Sequence, residues 1–380
     1  MTRRKVERLN KDLGRRLRAA RQATGFSTRK AVDNLPLSVR ISHTQLVAYE
    51  NGEASIPITL LSFLATVYQR PLNWFLVSNE ALTGFRYRNT KSRVGVKETR
   101  QFEAVATKWV EAYFKLEERL RSPLRARVAL SSLAVSVDTT PVELARSVRT
   151  LLGLLDSDPV ANVIDVLHAC GVRVIEVDAP DAIDAVAAKR GNDSVVALNK
   201  NTTNDRLRLN AAHELAHVLY GDCKEVQGWS DDFVEQRAYE FGSHLLLPDK
   251  ALDLALEGKS FIRLIEHKKK FGISLAAMIY RAEKSKRIRS TLARRLWVEM
   301  SQRGWRKNEP GQIWRERAIR FETMLETAIQ TKQLTWEEAE SVTGITQTEL
   351  KDRLHEATGL SIRKEEEEPA RTLKISSLDG

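Results

Sequence analysis

The chain contains few cysteines and no long hydrophobic run, and each absence excludes a class of protein. Its 380 residues include only two cysteines, Cys170 and Cys223, which cannot form a disulfide framework and therefore favour a reducing compartment. Apolar runs such as Leu151–Leu155 and Leu245–Leu247 are far shorter than the roughly 18 residues of a membrane span. The first residues are charged and offer no apolar signal segment. We therefore expect a soluble, cytoplasmic protein without a membrane partner.

Acidic residues are too few to balance the basic ones. The chain has 61 Lys and Arg against 50 Asp and Glu, a formal net charge of +11. Residues 1–30 alone hold eleven basic and two acidic side chains, a local charge of +9. Such a concentration favours a polyanionic partner, because basic side chains release the counterions condensed on phosphates. A second basic run, Lys284–Lys307, fits either such a contact or a solvated helix face.

The most specific motif is His213-Glu214-Leu215-Ala216-His217, which matches H-E-x-x-H. On a helix, positions i and i+4 share a face, so His213 and His217 can bind one metal ion. Glu214 lies about 100° further around the helix, where it can meet a water molecule without being a ligand. A pair of histidines on an ordinary amphipathic helix is the alternative. The apolar neighbours of the motif already supply a buried face, which argues against that alternative.

A catalytic zinc ion needs a third protein ligand and an open position. Metzincin spacing would require glycine and histidine where this chain has Tyr220 and Cys223, so that class is excluded. Glu235 opens the next predicted helix and would complete a set of two histidines and one glutamate. Asp232 and Glu235 also have the spacing of a capping box, and the spacing alone leaves both interpretations open.

The two helical segments resemble the ImmA/IrrE family of metallopeptidases over roughly residues 150–310. The resemblance is carried by two blocks, Arg208-Leu209-Asn210-Ala211-Ala212-His213-Glu214-Leu215-Ala216-His217 and Glu235-x-x-Ala238-x-x-Phe241-Gly242-x-x-Leu245-Leu246-Leu247-Pro248. It implies a Zn²⁺ cofactor held by His213, His217 and Glu235, with Glu214 as the catalytic acid and base. His244 departs from the family pattern, and we interpret it as a surface histidine.

The implied chemistry is the hydrolysis of a peptide bond in a protein substrate. Tyr220 and Tyr239 have suitable directions to stabilise an oxyanion, but packing is the better explanation of each. Ser194–Asn199 reads as a strand and, at a sheet edge, would pair with an extended substrate. A protease of this form is expected to have few substrates.

The N-terminal segment contains Leu13-Gly14-x-x-Leu17-Arg18-x-x-Arg21, Gly25-Phe26-Ser27, Leu46-x-x-Tyr49-Glu50-Asn51-Gly52, Leu60–Tyr68 and Leu72-x-x-Phe75-Leu76. Through these motifs residues 11–77 resemble the Cro/repressor type of helix-turn-helix domain. Leu46 and Tyr49 are expected to pack a short recognition helix onto a bundle. The residues expected to reach base edges or phosphates are Ser42, His43, Thr44 and Gln45 for bases, and Arg15, Arg16, Arg29 and Lys30 for phosphates. Asn34–Ile41 exceeds the usual turn of three or four residues. The alternative is a bundle that contacts only proteins. Regulators of the helix-turn-helix type commonly form homodimers, so a homodimer is also expected.

These features predict a mostly helical α+β chain. It comprises a five-helix helix-turn-helix bundle (1–79), a helical linker (80–150), a zincin-like metallopeptidase domain with a small antiparallel sheet (151–282), a helical C-terminal region (283–362) and a disordered tail (363–380). The tandem arrangement suggests a bacterial or phage regulator that binds double-stranded DNA and cleaves a repressor or itself. The alternatives are a non-proteolytic transcription factor with a zinc-dependent sensor domain and a protease that uses its bundle only for docking.

Overall fold

The computed structural model of the chain describes residues 3–76, 83–87, 95–128, 133, 135–136, 138–180, 183–221 and 230–358. Helices dominate, and one small sheet lies in the middle of the sequence, as an α+β class requires. None of the described helices is both long and apolar enough to cross a membrane. The tail at 363–380 and Cys223 lie outside the described residues.

The N-terminal bundle consists of five helices around its own core. They are α1 (Arg3–Ala23), α2 (Thr28–Asp33), α3 (His43–Asn51), α4 (Ile58–Val67) and α5 (Leu72–Leu76). The side chains of Leu17, Leu46 and Leu64 are completely buried between them. Ser27 and Ser42 cap the N-termini of α2 and α3, and Gly52 ends α3 in the left-handed conformation. The long α2–α3 connection contains a short 3₁₀ turn at Leu37–Val39.

The sheet has four strands, β1 (Thr83–Tyr87), β2 (Arg173–Val177), β3 (Ala185–Arg190) and β4 (Asp193–Asn199). Their order across the sheet is β1-β3-β4-β2. β3 pairs antiparallel with β1 and β4, whereas β2 pairs parallel with β4. The expected antiparallel sheet is therefore wrong, because the connection after β2 crosses β4 and places β3 on the far side. The same topology makes β4 an interior strand, so the expected edge strand at Ser194–Asn199 is also wrong.

Helices cover the sheet and build the largest core. The chain enters this part through α7 (Pro141–Leu151) and α8 (Val163–Ala169), and it continues from β4 into α9 (Asn204–Leu219) and α10 (Asp231–Leu246). It then passes through α11 (Asp249–Leu256), α12 (Phe261–Phe271), α13 (Leu275–Lys284) and α14 (Ser290–Gln302). Apolar side chains of α7–α14 meet those of β3 and β4 in one continuous cluster.

A second core joins the opposite face of the sheet to α6 (Val96–Arg119), α15 (Arg320–Gln330), α16 (Trp336–Thr343) and α17 (Gln347–Thr358). Tyr113 of α6 and Leu325 of α15 are completely buried in it. The region expected to be a helical linker thus also contributes a strand, β1, and a core helix. Its polar composition does not reveal this, because only one face of α6 needs to be apolar for such packing.

The bundle packs directly against this second core. The guanidinium of Arg70, which follows α4, donates a hydrogen bond of 3.1 Å to the carbonyl of Gly344 at the end of α16. A Cβ atom on Gly344 would lie only 2.6 Å from the Trp74 ring, so the two surfaces touch closely. Burial lowers the pKa of Arg70 to about 10.

Candidate metal centre

His213, Glu214 and His217 lie on α9, a helix that is buried along almost its whole length. Ala211, Ala212 and Leu215 are completely buried against the core, which fixes the rotation of the helix about its axis. His213 is 3% exposed, Glu214 2% and His217 6%. Three ionisable side chains are thus removed from water together. Burying them costs free energy unless they bind a common partner.

A buried arginine anchors the start of α9. Arg208 donates hydrogen bonds to the carbonyls of Val160 at 2.6 Å and Gly272 at 3.1 Å, and it forms a buried ion pair with Glu316. A Cβ atom on Gly272 would collide with this guanidinium, and the residue has φ +66°, so glycine meets both demands. Burial lowers the pKa of Arg208 to about 10. The arginine of the first sequence block therefore positions the helix that carries the histidines.

Glu235 reaches the histidines from α10. Its Oε2 lies 3.1 Å from His213 Nε2 and its Oε1 3.5 Å from His217 Nε2, while the two Nε2 atoms are 3.1 Å apart. The N-cap of α10 is Ser230, whose hydroxyl accepts from the Phe233 amide. The capping-box interpretation of Glu235 is therefore wrong.

The donor set fits a tetrahedral zinc ion. Zinc–nitrogen and zinc–oxygen bonds of about 2.0–2.1 Å place neighbouring ligand atoms about 3.3 Å apart in a tetrahedron. The measured separations of 3.1 to 3.5 Å bracket that value. His213, His217 and Glu235 form a group of potential ligands whose donor atoms all lie within 4.8 Å of one another. Two imidazoles and one carboxylate leave a fourth position open, as catalytic zinc sites do.

Residues 169–283 match the sequence model of the IrrE N-terminal-like domain, a peptidase family. This part of the chain is similar to a metallopeptidase domain. The match covers 115 of 380 residues, contains all four residues of the H-E-x-x-H and Glu235 set, and does not extend to the N-terminal bundle. No curated protein matches the chain. We refer to residues 169–283 as the peptidase-like domain.

The crossing of α9 and α10 in the peptidase-like domain is unusually close at Gly242. A Cβ atom at this position would lie 3.1 Å from the His213 amide nitrogen and 3.3 Å from the Ala212 carbonyl carbon. Gly242 stands about two turns after Glu235 on α10. Because glycine has no side chain, the backbone of α10 can lie directly against the backbone of α9 at this point. The glycine of the second sequence block thereby sets the distance across which Glu235 must reach.

Two buried arginines hold the end of α10. Arg149 of α7 donates to the Leu245 carbonyl at 2.8 Å, and Arg281 of α13 donates to the Ser243 carbonyl at 2.8 Å and to the Leu247 carbonyl. The last carbonyls of a helix have no partner within it, so these guanidinium groups replace the missing donors. Arg149 and Arg281 thus lock α10 to its neighbours. The sequence gives no sign of their role, because both partners are distant in the chain.

The two tyrosines considered as oxyanion donors have other contacts. Tyr220 donates its hydroxyl to the carbonyl of Thr139 at 3.1 Å, and the Tyr239 ring meets the Tyr280 ring edge to face. Arg237 also donates to the Thr139 carbonyl, at 2.6 Å, and its guanidinium lies 4.8 Å from the centre of the Tyr220 ring. The carbonyl of Thr139, just before α7, is therefore hydrogen-bonded to Tyr220 at the end of α9 and to Arg237 of α10. The sequence does not predict this link.

His244 is not a surface histidine, contrary to our interpretation of the sequence. Its side chain is 12% exposed, and its Nε2 lies 3.3 Å from Asp249 Oδ1. The contact with His244, together with the ion pair to Arg281, lowers the pKa of Asp249. The cluster fixes the turn at Pro248 between α10 and α11 and is separate from the three potential metal ligands.

The N-terminal bundle presents most of the residues expected to contact DNA. His43, Thr44 and Gln45 are exposed along the first turn of α3, and Ser42 caps it by accepting from the Gln45 amide at 3.1 Å. Arg15, Arg29 and Lys30 are exposed as well. Arg16 is not: it is 8% exposed and donates to the Phe75 carbonyl. The expected phosphate contact of Arg16 is therefore wrong, because this face of α1 packs inward.

Proposed function

We propose that the chain is a DNA-binding transcriptional regulator whose peptidase-like domain is a zinc-dependent endopeptidase acting on one protein substrate. The observation that carries the proposal is the convergence of His213, His217 and Glu235 on one point, with the buried Glu214 directly after His213 on the same helix. A sensor or structural metal site has no need of that additional carboxylate. The family match over residues 169–283 supports the same chemistry.

His213 and His217 would hold Zn²⁺ through their Nε2 atoms and Glu235 through its carboxylate. When bound, the metal would supply Lewis acidity to the scissile carbonyl and to the attacking water. Glu214 would take one proton from that water as a carbon–oxygen bond forms. It would then pass the proton to the amine nitrogen as the carbon–nitrogen bond breaks. The carboxylate is suited to this transfer because it follows His213 directly and is 2% exposed.

The DNA-binding half of the proposal rests on the first turn of α3. Four polar side chains, Ser42 to Gln45, stand there on the solvent side of a helix whose other face is held by Leu46 and Tyr49. This is the arrangement by which a recognition helix enters the major groove. Arg29 and Lys30 on α2 would position the duplex through its phosphates.

The proteolytic half is tested with the purified wild-type chain and the Glu214→Gln variant. Both are incubated with a peptide library prepared from a bacterial proteome, and with an excess of the Glu214→Gln chain as a folded substrate. Mass spectrometry then records new N-termini. We expect equal zinc in both proteins and metal-dependent cleavage by the wild type alone, at one narrow class of sites. The variant Glu240→Gln on α10 is the matched control and should cleave normally.

The same samples separate the alternatives. Equal zinc with no cleavage by the wild type would favour a non-proteolytic transcription factor whose zinc domain senses metal or a partner. Cleavage that is unaffected by Glu214→Gln would refute the assignment of the general base. An unchanged sequence preference among genomic DNA fragments after His43→Ala and Gln45→Ala would leave a protease whose bundle serves only for docking.

A further inference from the structure

A strongly basic surface covers α14 and the residues on either side of it. The segment 284–307 contains nine Lys and Arg and a single acid, Glu299. Eight of the basic side chains are exposed, and we call this set the α14 basic surface: Lys284, Lys286, Arg289, Arg294, Arg295, Arg303, Arg306 and Lys307. It lies after the end of the family match at residue 283 and is a separate segment from the bundle.

Among the residues that the structure describes, carboxylates neutralise only two of these nine basic side chains. Arg303 pairs with Glu299 at 2.8 Å, and the half-buried Arg287 pairs with Asp249 and Asp253. Across the described part of the chain, no carboxylate reaches ion-pair distance of the other seven exposed members. An ordinary solvated helix face alternates charges of both signs at i and i+4. The positive charges of such a surface repel one another, and a bound polyanion would relieve this repulsion.

A groove of about 550 Å³ runs through this surface, and its lining includes Arg294, Trp297, Ser301 and Arg306. The Arg306 guanidinium lies 4.4 Å from the centre of the Trp297 ring, and its Nε donates to the Ser301 hydroxyl at 3.2 Å. A guanidinium fixed in this way loses less freedom when it binds an anion, and its planar donors match a phosphate.

The contact between Arg306 and Trp297 favours the binding of a duplex over the binding of a single strand. Single strands bind through bases stacked on exposed aromatic faces. One face of Trp297 is already covered by Arg306, and the ring also packs against the main core. The groove lining contains two cations, Arg294 and Arg306, and one acid, Glu283. The groove therefore offers two guanidinium groups within the larger basic surface rather than a stacking platform. We propose that the α14 basic surface binds the phosphate backbone of double-stranded DNA, independently of the bundle and without sequence preference.

The test measures the binding of the full chain to a fluorescent random-sequence duplex between 50 and 200 mM salt. In the variant Arg294→Ala/Arg295→Ala/Arg306→Ala, we expect weaker binding and a salt dependence whose log–log slope falls by about three, one for each lost phosphate contact. The matched control Arg119→Ala/Arg146→Ala/Lys250→Ala removes three exposed cations elsewhere and should retain the wild-type slope. Thermal unfolding confirms that each variant is folded.

Both triple variants are also made in a chain carrying Arg29→Ala and Lys30→Ala. A loss of duplex affinity caused by the α14 substitutions in this background supports the proposal even where the bundle does not bind DNA. The two DNA-binding proposals are therefore tested independently. An unchanged slope in the α14 variant, an equal loss in the control, or tighter binding to a single strand of the same length would overturn the proposal.

Discussion

Gly242 offers a direct test of how the fold positions Glu235, the proposed third metal ligand. In the variant Gly242→Ala, the new methyl group would lie 3.1 Å from the His213 amide nitrogen, closer than ordinary van der Waals contact. The neighbour is helix backbone, which cannot rotate away, so α9 and α10 must separate by a few tenths of an ångström. Zinc sites tolerate ligand displacements of about 0.2 Å. We therefore expect zinc affinity to fall at least about tenfold, corresponding to roughly 1.4 kcal/mol.

The same substitution has two opposing effects on stability. Overpacking costs about 1–3 kcal/mol, whereas replacing a helical glycine with alanine contributes about 1 kcal/mol. The zinc-free variant should thus be destabilised by about 0–2 kcal/mol in urea unfolding. Zinc affinity is measured by competition with a chromophoric chelator, and Gln236→Ala on the exposed side of α10 is the control. An unchanged zinc affinity together with a stability gain of about 1 kcal/mol would refute the reasoning about the close crossing.

Three further predictions concern the bundle and the end of α10. Glu50 is 3% exposed and accepts two hydrogen bonds from Arg21, at 2.6 and 2.7 Å, so Glu50→Gln should destabilise the chain by about 3 kcal/mol in urea unfolding. Asp249 has a lowered pKa, so its contribution to stability is present above its unfolded pKa of about 3.9 and is lost as the pH falls through the lower folded value. Asp249→Asn should therefore flatten the acid side of a stability–pH profile, and a profile of unchanged shape would count against the ion pair. Ser42→Ala removes the N-cap of α3 and should cost about 1 kcal/mol while weakening DNA binding, whereas Ser42→Asp should restore the stability alone.

The sequence predicts the residues of the candidate metal site better than it predicts the sheet. His213 and His217 are fixed by local geometry, since any helix through this segment places them on one face. Glu235 requires a second helix at the right crossing, and the sequence indicates its contact only through the family resemblance. The physical basis of that crossing, Gly242 against the backbone of α9, becomes visible only with the fold.

The misplaced elements have identifiable physical causes. β3 is rich in alanine, which has low strand propensity, so only its partners define it as a strand. β1 pairs with β3 across about a hundred residues, and no local signal predicts a pairing of that range. The burial of Arg16 was also not predictable, since the sequence of a basic helix does not reveal which of its arginines faces inward.

The most direct measurement of the central claim is an X-ray absorption spectrum at the zinc edge, recorded on the zinc-loaded full chain and on Glu235→Ala. We predict one zinc per chain, with two imidazole nitrogens and light oxygen ligands at about 2.0–2.1 Å, and the loss of one oxygen ligand in the variant. Sulfur ligands at about 2.3 Å, or identical spectra for the two proteins, would contradict the proposed centre.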